Sequence, residues 1–287
     1  MAKKIDNILV YLDYSDASLN AVESAIGMCK RHRATLHLVQ VLDKQYIFPT
    51  AGVQAPVLSI SHEMIQGDID NLNNYVSSIQ RNHGINCMAH YEIAGIVSSV
   101  CGKARELNCD ILVVGTDPQK FKSCFIVDSL PYKILKCAPC PVLTIPGETK
   151  VNAFKKILFP VRPVISALEK FQVAKLLINR NKASVHLVGA LRTEDAGQFN
   201  AVRRLLATVE QKLDREKIPN SYELHFGRDI AGNILKTGRK ISTDLIVITA
   251  STRRNFKQLF YGNYAQRLIN NIDTAVLCVK PSEYYLR

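Results

Sequence analysis

The chain has 287 residues, of which 47% are hydrophobic and 22% are charged. This length predicts about two domains, and this composition is typical of globular proteins with buried cores rather than of disordered chains. No apolar run approaches the roughly 20 residues that span a bilayer. The N-terminal residues enter a strand pattern without the apolar stretch of a signal peptide. We therefore expect a cytoplasmic protein without a transmembrane segment.

The formal net charge of +12 is unevenly distributed. Residues 1–148 contain 13 Lys and Arg against 14 Asp and Glu, whereas residues 149–287 contain 24 against 11. The excess of basic residues in the second half is interpreted either as a solvated surface or as a surface that attracts phosphate-bearing or acidic partners. Because no nucleic-acid-binding module is recognisable, specific nucleic-acid binding is not expected.

In the first half, apolar runs at 8–12, 36–39, 111–114 and 141–145 predict strands. Amphipathic stretches at about 16–33, 61–83, 95–107 and 129–136 predict helices between and after them. Several of the runs are apolar throughout, which is typical of strands buried on both faces of a parallel sheet. Residues 44–60 contain Pro49, Gly52 and Pro56 and predict a mobile loop near the C-terminal edge of that sheet.

The second half repeats this order. Residues 157–161 and 185–188 match the first two strands at a shift of 149, and 244–250 and 275–279 match the last two at 134. Residues 230–232 repeat the letters of 93–95 at a shift of 137. Helices are predicted at about 165–181, 196–217, 231–241 and 262–271. The sequence therefore predicts an α/β protein with two doubly wound parallel-sheet domains in tandem, over 1–146 and 153–287, joined by a linker at 147–152.

No constellation typical of an enzyme is present. The seven histidines are scattered without metal-ligand spacing, and no nucleophile elbow occurs. His37 and His186 occupy equivalent second-strand positions, which favours a structural role in the sheet. We predict a non-catalytic protein without a metal site.

The cysteines are interpreted as structural thiols. Cys29, Cys101 and Cys109 fall in or beside apolar patterns, where a thiol behaves as a small hydrophobe. Cys137 and Cys140 have CxxC spacing, but no second pair or His cluster completes a zinc site. The alternative is a redox pair, which would need a helix N-terminus to lower the thiol pKa, whereas a strand pattern follows Cys140.

Three segments together resemble the universal stress protein family: Ile8 to Ser15, Asp110 to Gly115, and Ala138 to Ile145. The tandem arrangement is similar to that of its two-domain members. The resemblance implies five-stranded sheets of order 3-2-1-4-5 and a role in stress response through binding. It also implies final strands that pair across a dimer or, in tandem members, between the two halves. Intramolecular pairing is therefore expected, and a further homodimer is left open.

Family members that bind ATP share an Asp after the first strand, a Val near the end of the second, and a loop G-x2-G-x9-G-[S/T] after the fourth. Glycines in such a loop let the backbone approach the phosphates. The first half matches this pattern at Asp13, Val41, Gly115 and Ser129.

Two glycines of that pattern are replaced, by Pro118 and Asp128. Proline removes a backbone N–H, and a carboxylate beside a triphosphate is repelled by it. Asp128 is alternatively an N-cap of the next helix, and Asp13 alternatively caps the first helix. A degenerate site and no cofactor are therefore expected, with ATP binding in the first domain as the alternative.

In the second half Arg162 stands in place of the first-strand Asp, while Ala250 and Arg253 replace the first two glycines and Gly262-Asn263 the last pair. The strand C-terminal edge is predicted to gather four basic residues, Arg162, Arg253, Arg254 and Lys257. Such a crevice suits a phosphate-bearing small molecule, a lipid head group or an acidic partner. The alternative is a solvated basic loop.

Overall fold

The computed structural model describes residues 4–43, 62–117, 129–148, 153–163, 168–191, 196–250, 259–270 and 273–281. The predicted loop at 44–60 and most of the predicted linker lie outside these ranges. Within them, no helix is long and apolar enough to cross a membrane.

Strands and helices alternate along both halves. In the first half they are β1 Asn7–Tyr11, α1 Asp16–His32, β2 Thr35–Asp43, α2 His62–His83, β3 Cys87–Ala94, α3 Ile96–Glu106, β4 Ile111–Thr116, α4 Leu130–Cys137 and β5 Val142–Pro146. In the second half they are β6 Lys156–Val161, α5 Glu169–Asn181, β7 Ser184–Leu191, α6 Ala196–Arg215, β8 Asn220–Phe226, α7 Ile230–Lys240, β9 Leu245–Thr249, α8 Leu259–Asn270 and β10 Ala275–Val279.

All ten strands form one sheet, in the order β3-β2-β1-β4-β5-β10-β9-β6-β7-β8. Each half has the order 3-2-1-4-5 with parallel neighbours. The halves join where β5 and β10 run antiparallel. The predicted pair of doubly wound five-stranded units is therefore confirmed, and their last strands fuse them into a single sheet.

The sheet is covered on both faces by helices. The five residues of β5 and of β10 are all buried, whereas the outermost strands β3 and β8 are largely half-buried or exposed. Buried side chains form one cluster on each face of the sheet, and each cluster includes residues of both halves. The two halves thus share their hydrophobic layers, so apolar burial as well as backbone pairing holds them together.

The junction between the halves has approximate twofold symmetry. Leu143 of β5 pairs with Leu277 of β10, and the pairs on either side are Thr144 with Val276 and Val142 with Cys278. The hydroxyl of Thr144 donates to the Val276 carbonyl at 3.3 Å, and this bond is not repeated at Cys278, the counterpart of Thr144. Equivalent strands of the two halves therefore pair with each other within one chain, as the same strand of two subunits does in an isologous dimer.

The strand register corrects two equivalences drawn from the sequence. Ile8 pairs with Ile111 as Ile157 pairs with Leu245, so the counterpart of Gly115 is Thr249 and not Ala250. The helices α3 and α7, with N-caps Gly95 and Asp229, correspond at a shift of 134. The match of 93–95 with 230–232 at a shift of 137 is therefore wrong: the first ends β3, whereas the second begins α7.

Gly115 allows helix α1 to approach strand β4 closely. A Cβ atom on Gly115 would lie 2.4 Å from the backbone carbonyl carbon and oxygen of Ala17 and 2.7 Å from the nitrogen of Ser18. In the second half Thr249 carries a side chain at this position. The glycine therefore makes room for the first turn of α1.

The start of the last helix differs between the halves. Helix α4 begins at Leu130 with Ser129 as N-cap, so the interpretation of Asp128 as the N-cap is wrong by one residue. Helix α8 begins at Leu259, three residues before its predicted start, so Gly262 and Asn263 lie inside its first two turns. Asp128 and Pro118 themselves lie outside the described residues.

The structural interpretation of the cysteines is confirmed in part. Cys29, Cys101, Cys109 and Cys140 are buried, but Cys137, the last residue of α4, is exposed. The two equivalent histidines lie in the sheet as predicted. His37 Nδ1 lies 3.1 Å from His90 Nε2, and its Nε2 lies 3.3 Å from Asn7 Oδ1. His186 Nδ1 lies 2.7 Å from the hydroxyl of Ser221.

We expect Gly115→Ala to lower the free energy of unfolding by about 1–3 kcal/mol, because the new methyl group overlaps the backbone of α1. Denaturant unfolding measures this difference. The control is Gly102→Ala in α3, where an added Cβ meets nothing within 4 Å. Removing a helical glycine there should stabilise the protein by about 0.5–1 kcal/mol. Equal effects of the two substitutions would contradict this account of Gly115.

His37 should make stability depend on pH. Burial, together with the neighbouring His90, lowers the pKa of His37 to about 4, from about 6.5 in the unfolded chain. Between these values the unfolded state binds the extra proton, so stability falls as the pH decreases, by at most about 1.4 kcal/mol per pH unit. In His37→Gln the plot of unfolding free energy against pH should be shallower in this window. An unchanged slope in His37→Gln would refute the assignment of this pH dependence to His37.

Candidate functional site

The candidate sites lie at the C-terminal ends of the central strands of each half. In open α/β sheets this crevice, next to the strand at which the order reverses, is where ligands bind. In the first half the reversal lies between β1 and β4. Asp13 follows β1 by two residues, Val41 lies in the last part of β2, Gly115 is next to the last residue of β4, and Ser129 is the N-cap of α4.

Asp13 is an exposed residue that organises the turn into α1. Its Oδ1 accepts hydrogen bonds from the Ser15 backbone N–H at 3.0 Å and from the Ser15 hydroxyl. The oxygen of that hydroxyl in turn accepts from the Ser18 N–H at 3.2 Å, which makes Ser15 the N-cap of the helix. The Ser18 hydroxyl oxygen accepts from the Asp13 N–H at 3.3 Å. The N-cap of α1 is therefore Ser15 and not Asp13, and Asp13 supports this cap through one carboxylate oxygen.

The other predicted residues of the first half serve the packing of the fold. Gly115 lies against the first turn of α1, and Val41 is half-buried against the core layer that contains α3 and α4. Ser129 is buried at the N-cap of α4, and its carbonyl accepts from the Lys133 N–H at 2.9 Å. Each of these positions has a structural role that does not require a ligand.

In the second half Arg162 follows β6 directly and is half-buried. Its guanidinium carbon lies 4.4 Å from the centre of the Tyr264 ring of α8, a cation–π arrangement. A cation therefore occupies the place that Asp13 has in the first half. Arg253, Arg254 and Lys257 lie outside the described residues, so their predicted convergence with Arg162 stays a prediction.

Lys170 is a second cation at this edge that sequence reasoning missed. It lies in the first turn of α5, is only 3% exposed, and donates to the carbonyl oxygens of Pro160 and Val247. Its Nζ also lies 4.4 Å from the centre of the Phe159 ring. Strands β6 and β9 pair only at their first positions, and the lysine bridges the carbonyls beyond that pairing. Since Pro160 has no N–H to donate, the ammonium group supplies a donor between the two strands.

The surroundings of Lys170 disfavour its charged form. Burial, and then the positive charge of Arg162, lowers the pKa of Lys170 well below its usual value. The signal for it was present in the sequence: Lys170 shares the buried face of α5 with Phe171, Ala174 and Leu177, and its counterpart in α1 is Ala21. A lysine on the apolar face of a helix, combined with a strand proline that has no N–H, indicates that the lysine ammonium group is a buried hydrogen-bond donor.

The two crevices also differ at Thr249, the counterpart of Gly115. Its Oγ1 is buried and has no hydrogen-bond partner among the described residues. The first half has Gly115 at this position and thus no hydroxyl. Over the described ranges, no group of three or more His, Cys, Asp or Glu side chains is placed to hold a metal ion.

Comparison with known proteins gives relatives for one half and for the whole chain. A universal stress protein of Staphylococcus aureus is 29% identical over 144 residues, which are 50% of this chain and 84% of that protein. The crystal structure of a universal stress protein from Archaeoglobus fulgidus superposes with a TM-score of 0.76 at 15% identity and covers 97% of both chains. A universal stress protein crystallised with cAMP covers 51% of this chain and 100% of its own, with a TM-score of 0.38 at 20% identity.

The likeness to the Archaeoglobus protein extends across both halves and shows the same fold. The sequence profile of the universal stress protein family matches this chain twice, at residues 4–146 and 153–280. Together the two matches include nearly every described residue. The chain belongs to the universal stress protein family and carries two copies of its domain in tandem.

Proposed function

We propose that this protein is a non-catalytic universal stress protein that acts in the stress response through binding, and that its ATP sites are degenerate. The observation that carries the proposal is the engagement of Asp13. One oxygen of the carboxylate that would meet a nucleotide accepts two hydrogen bonds from Ser15, within the cap of α1. A ligand that took this oxygen would compete with the helix cap, which typically contributes about 1 kcal/mol. A cytoplasmic location and further homodimerisation belong to the same proposal.

The second domain supports the same conclusion by charge and by shape. Arg162 replaces the acidic residue, and Thr249 replaces the glycine that precedes the loop. An arginine cannot accept the hydrogen bonds of ribose hydroxyls, because guanidinium groups only donate. ATP bound in the same way at both crevices is therefore not expected, and the alternative of an ATP-dependent switch is restricted to the first domain.

We expect that millimolar ATP with Mg²⁺ does not raise the melting temperature. A site with a dissociation constant of about 10 µM would add about 2.7 kcal/mol at about 1 mM ATP, which for a protein of this size is a shift of about 5 °C or more. Differential scanning fluorimetry with and without ATP measures this. The matched pair is Asp13→Ala and Asp16→Ala, because both remove an acid near the start of α1. A shift of several degrees that persists in Asp16→Ala and is lost in Asp13→Ala would establish the ATP-switch alternative.

A specific observation favours a second candidate, the binding of a phosphate-bearing small molecule or lipid head group at the second crevice. Arg162 and Lys170 bring two cations close enough for one to disfavour the charge of the other. An anion near them would relieve this repulsion, and the guanidinium group suits phosphate. Lys170 bonds to carbonyls rather than to a carboxylate in the described structure, so its charge is not neutralised by those contacts.

Inorganic phosphate is expected to raise the melting temperature more than chloride at equal ionic strength, through an anion at Arg162. This excess should disappear in Arg162→Ala and persist in Arg204→Ala, which changes an exposed arginine of α6. Persistence of the excess in Arg162→Ala would rule out the crevice as the source.

A further inference from the structure

Three cysteines surround the C-terminal end of α4. Cys101 lies in α3 and is 1% exposed, Cys140 precedes β5 and is 5% exposed, and Cys137 is exposed as the last residue of α4. Their counterparts in the second domain are not cysteines. This thiol cluster is thus specific to the first domain and has one member that solvent reaches.

Cys101 is held against the last turn of α4. Its Sγ donates to the carbonyl oxygen of Ile134 at 3.7 Å, and the same oxygen accepts the N–H of Ala138 at 2.8 Å. Ile134 lies one helical turn before Cys137. The contact with the Ile134 carbonyl therefore places the buried Cys101 thiol beside Cys137. Burial raises the pKa of the Cys101 thiol, both Cys137 and Cys140 raise it further, and of these two Cys137 has the larger effect.

The chain turns away between Cys137 and Cys140. In a continuous helix, residues three apart lie on the same face. Here Ala138 leaves the helix with φ −54° and ψ 136°, which is an extended conformation. Cys140 therefore does not follow Cys137 in helical register, whereas Cys101 lies against the last turn of α4, which contains Cys137.

A lysine from the second domain closes the cluster. Lys280 follows β10, is 4% exposed, and its ammonium group donates to the carbonyl of Ala138, the C-cap of α4. A cation is favourable at a helix C-terminus because the helix dipole is negative there. The same charge favours thiolate at Cys101, where burial works in the opposite direction and raises the pKa. The cluster is therefore a contact between the two halves.

We propose that Cys137 and Cys101 form a redox-active pair that hydroperoxides convert reversibly into a disulfide. An accessible thiol beside a buried resolving thiol is the arrangement of peroxide-sensitive cysteines. In the first step the Cys137 thiolate attacks the peroxide O–O bond, giving Cys137 sulfenic acid and, after protonation, an alcohol or water. In the second step the Cys101 sulfur attacks Cys137 sulfur and expels water. The protein loses two protons and two electrons in all, and these reduce the peroxide to the alcohol and water.

The second step sets the pH dependence. Because burial raises the pKa of Cys101, little thiolate is present near neutral pH and the attack on the sulfenic acid is slow. The rate of disulfide formation should therefore increase as the pH rises. The disulfide joins α3 to the end of α4, next to the Lys280 contact, so the redox change occurs at the junction of the domains.

The test is oxidation of the full chain with hydrogen peroxide, followed by thiol counting, intact mass and non-reducing peptide mapping. We expect the native protein to lose two thiols and two hydrogen atoms, to show a Cys101–Cys137 peptide link, and to recover with dithiothreitol. Cys137→Ser should abolish the link. Cys101→Ser should stop at the sulfenic acid, which a sulfenic-acid-selective diketone labels at Cys137.

The matched control is Cys109→Ser, which changes a buried thiol between α3 and β4 outside the cluster and should oxidise like the native chain. Cys137 is exposed, so Cys137→Ser tests the pair even if Cys101→Ser fails to fold. Unchanged thiol loss in Cys137→Ser, a Cys137–Cys140 link, or no disulfide at alkaline pH would each overturn the proposal.

Discussion

The antiparallel pairing of β5 with β10 is the contact on which the rest of the molecule depends. It turns two five-stranded sheets into one and leaves each half with a single exposed edge, at β3 or β8. It also makes both core layers continuous across the halves. Burial is greatest in β5 and β10, at the middle of this sheet. Neither half presents its last strand to solvent, so the stability of each half includes burial against the other.

Around this shared centre the two candidate crevices differ in charge and in backbone. The first has a carboxylate tied into a helix cap and a glycine that admits the first turn of α1. The second has Arg162 stacked on Tyr264, a buried Lys170 between two strand carbonyls, and a buried Thr249 hydroxyl at the glycine position. The two halves therefore present different donors at the edge where ligands bind in this fold.

The sequence predicted the fold well because buried parallel strands read as uninterrupted apolar runs, and those runs recur in the same order. It was less successful in predicting which residues of the two halves correspond, where only a few letters matched. The identical letters at 93–95 and 230–232 fall on a strand end and a helix start, and only the pairing of Ile157 with Leu245 makes Thr249 the counterpart of Gly115. Lys170 was missed because an amphipathic pattern tolerates a long charged side chain. The contact between Cys101 and α4 depends on how α3 and α4 pack, which no local pattern carries.

The near-twofold junction at Leu143 and Leu277 has a consequence for how this chain could change over time. In a symmetric homodimer each substitution at the interface appears twice and meets its own copy, so a harmful change is doubled. In a covalent tandem each substitution appears once and its partner strand can compensate. Thr144 bonds across the junction while its counterpart Cys278 has no matching bond, and a near-neutral half tolerates a strongly basic one beside it. The covalent tandem thus relaxes the constraint of symmetry while retaining its geometry.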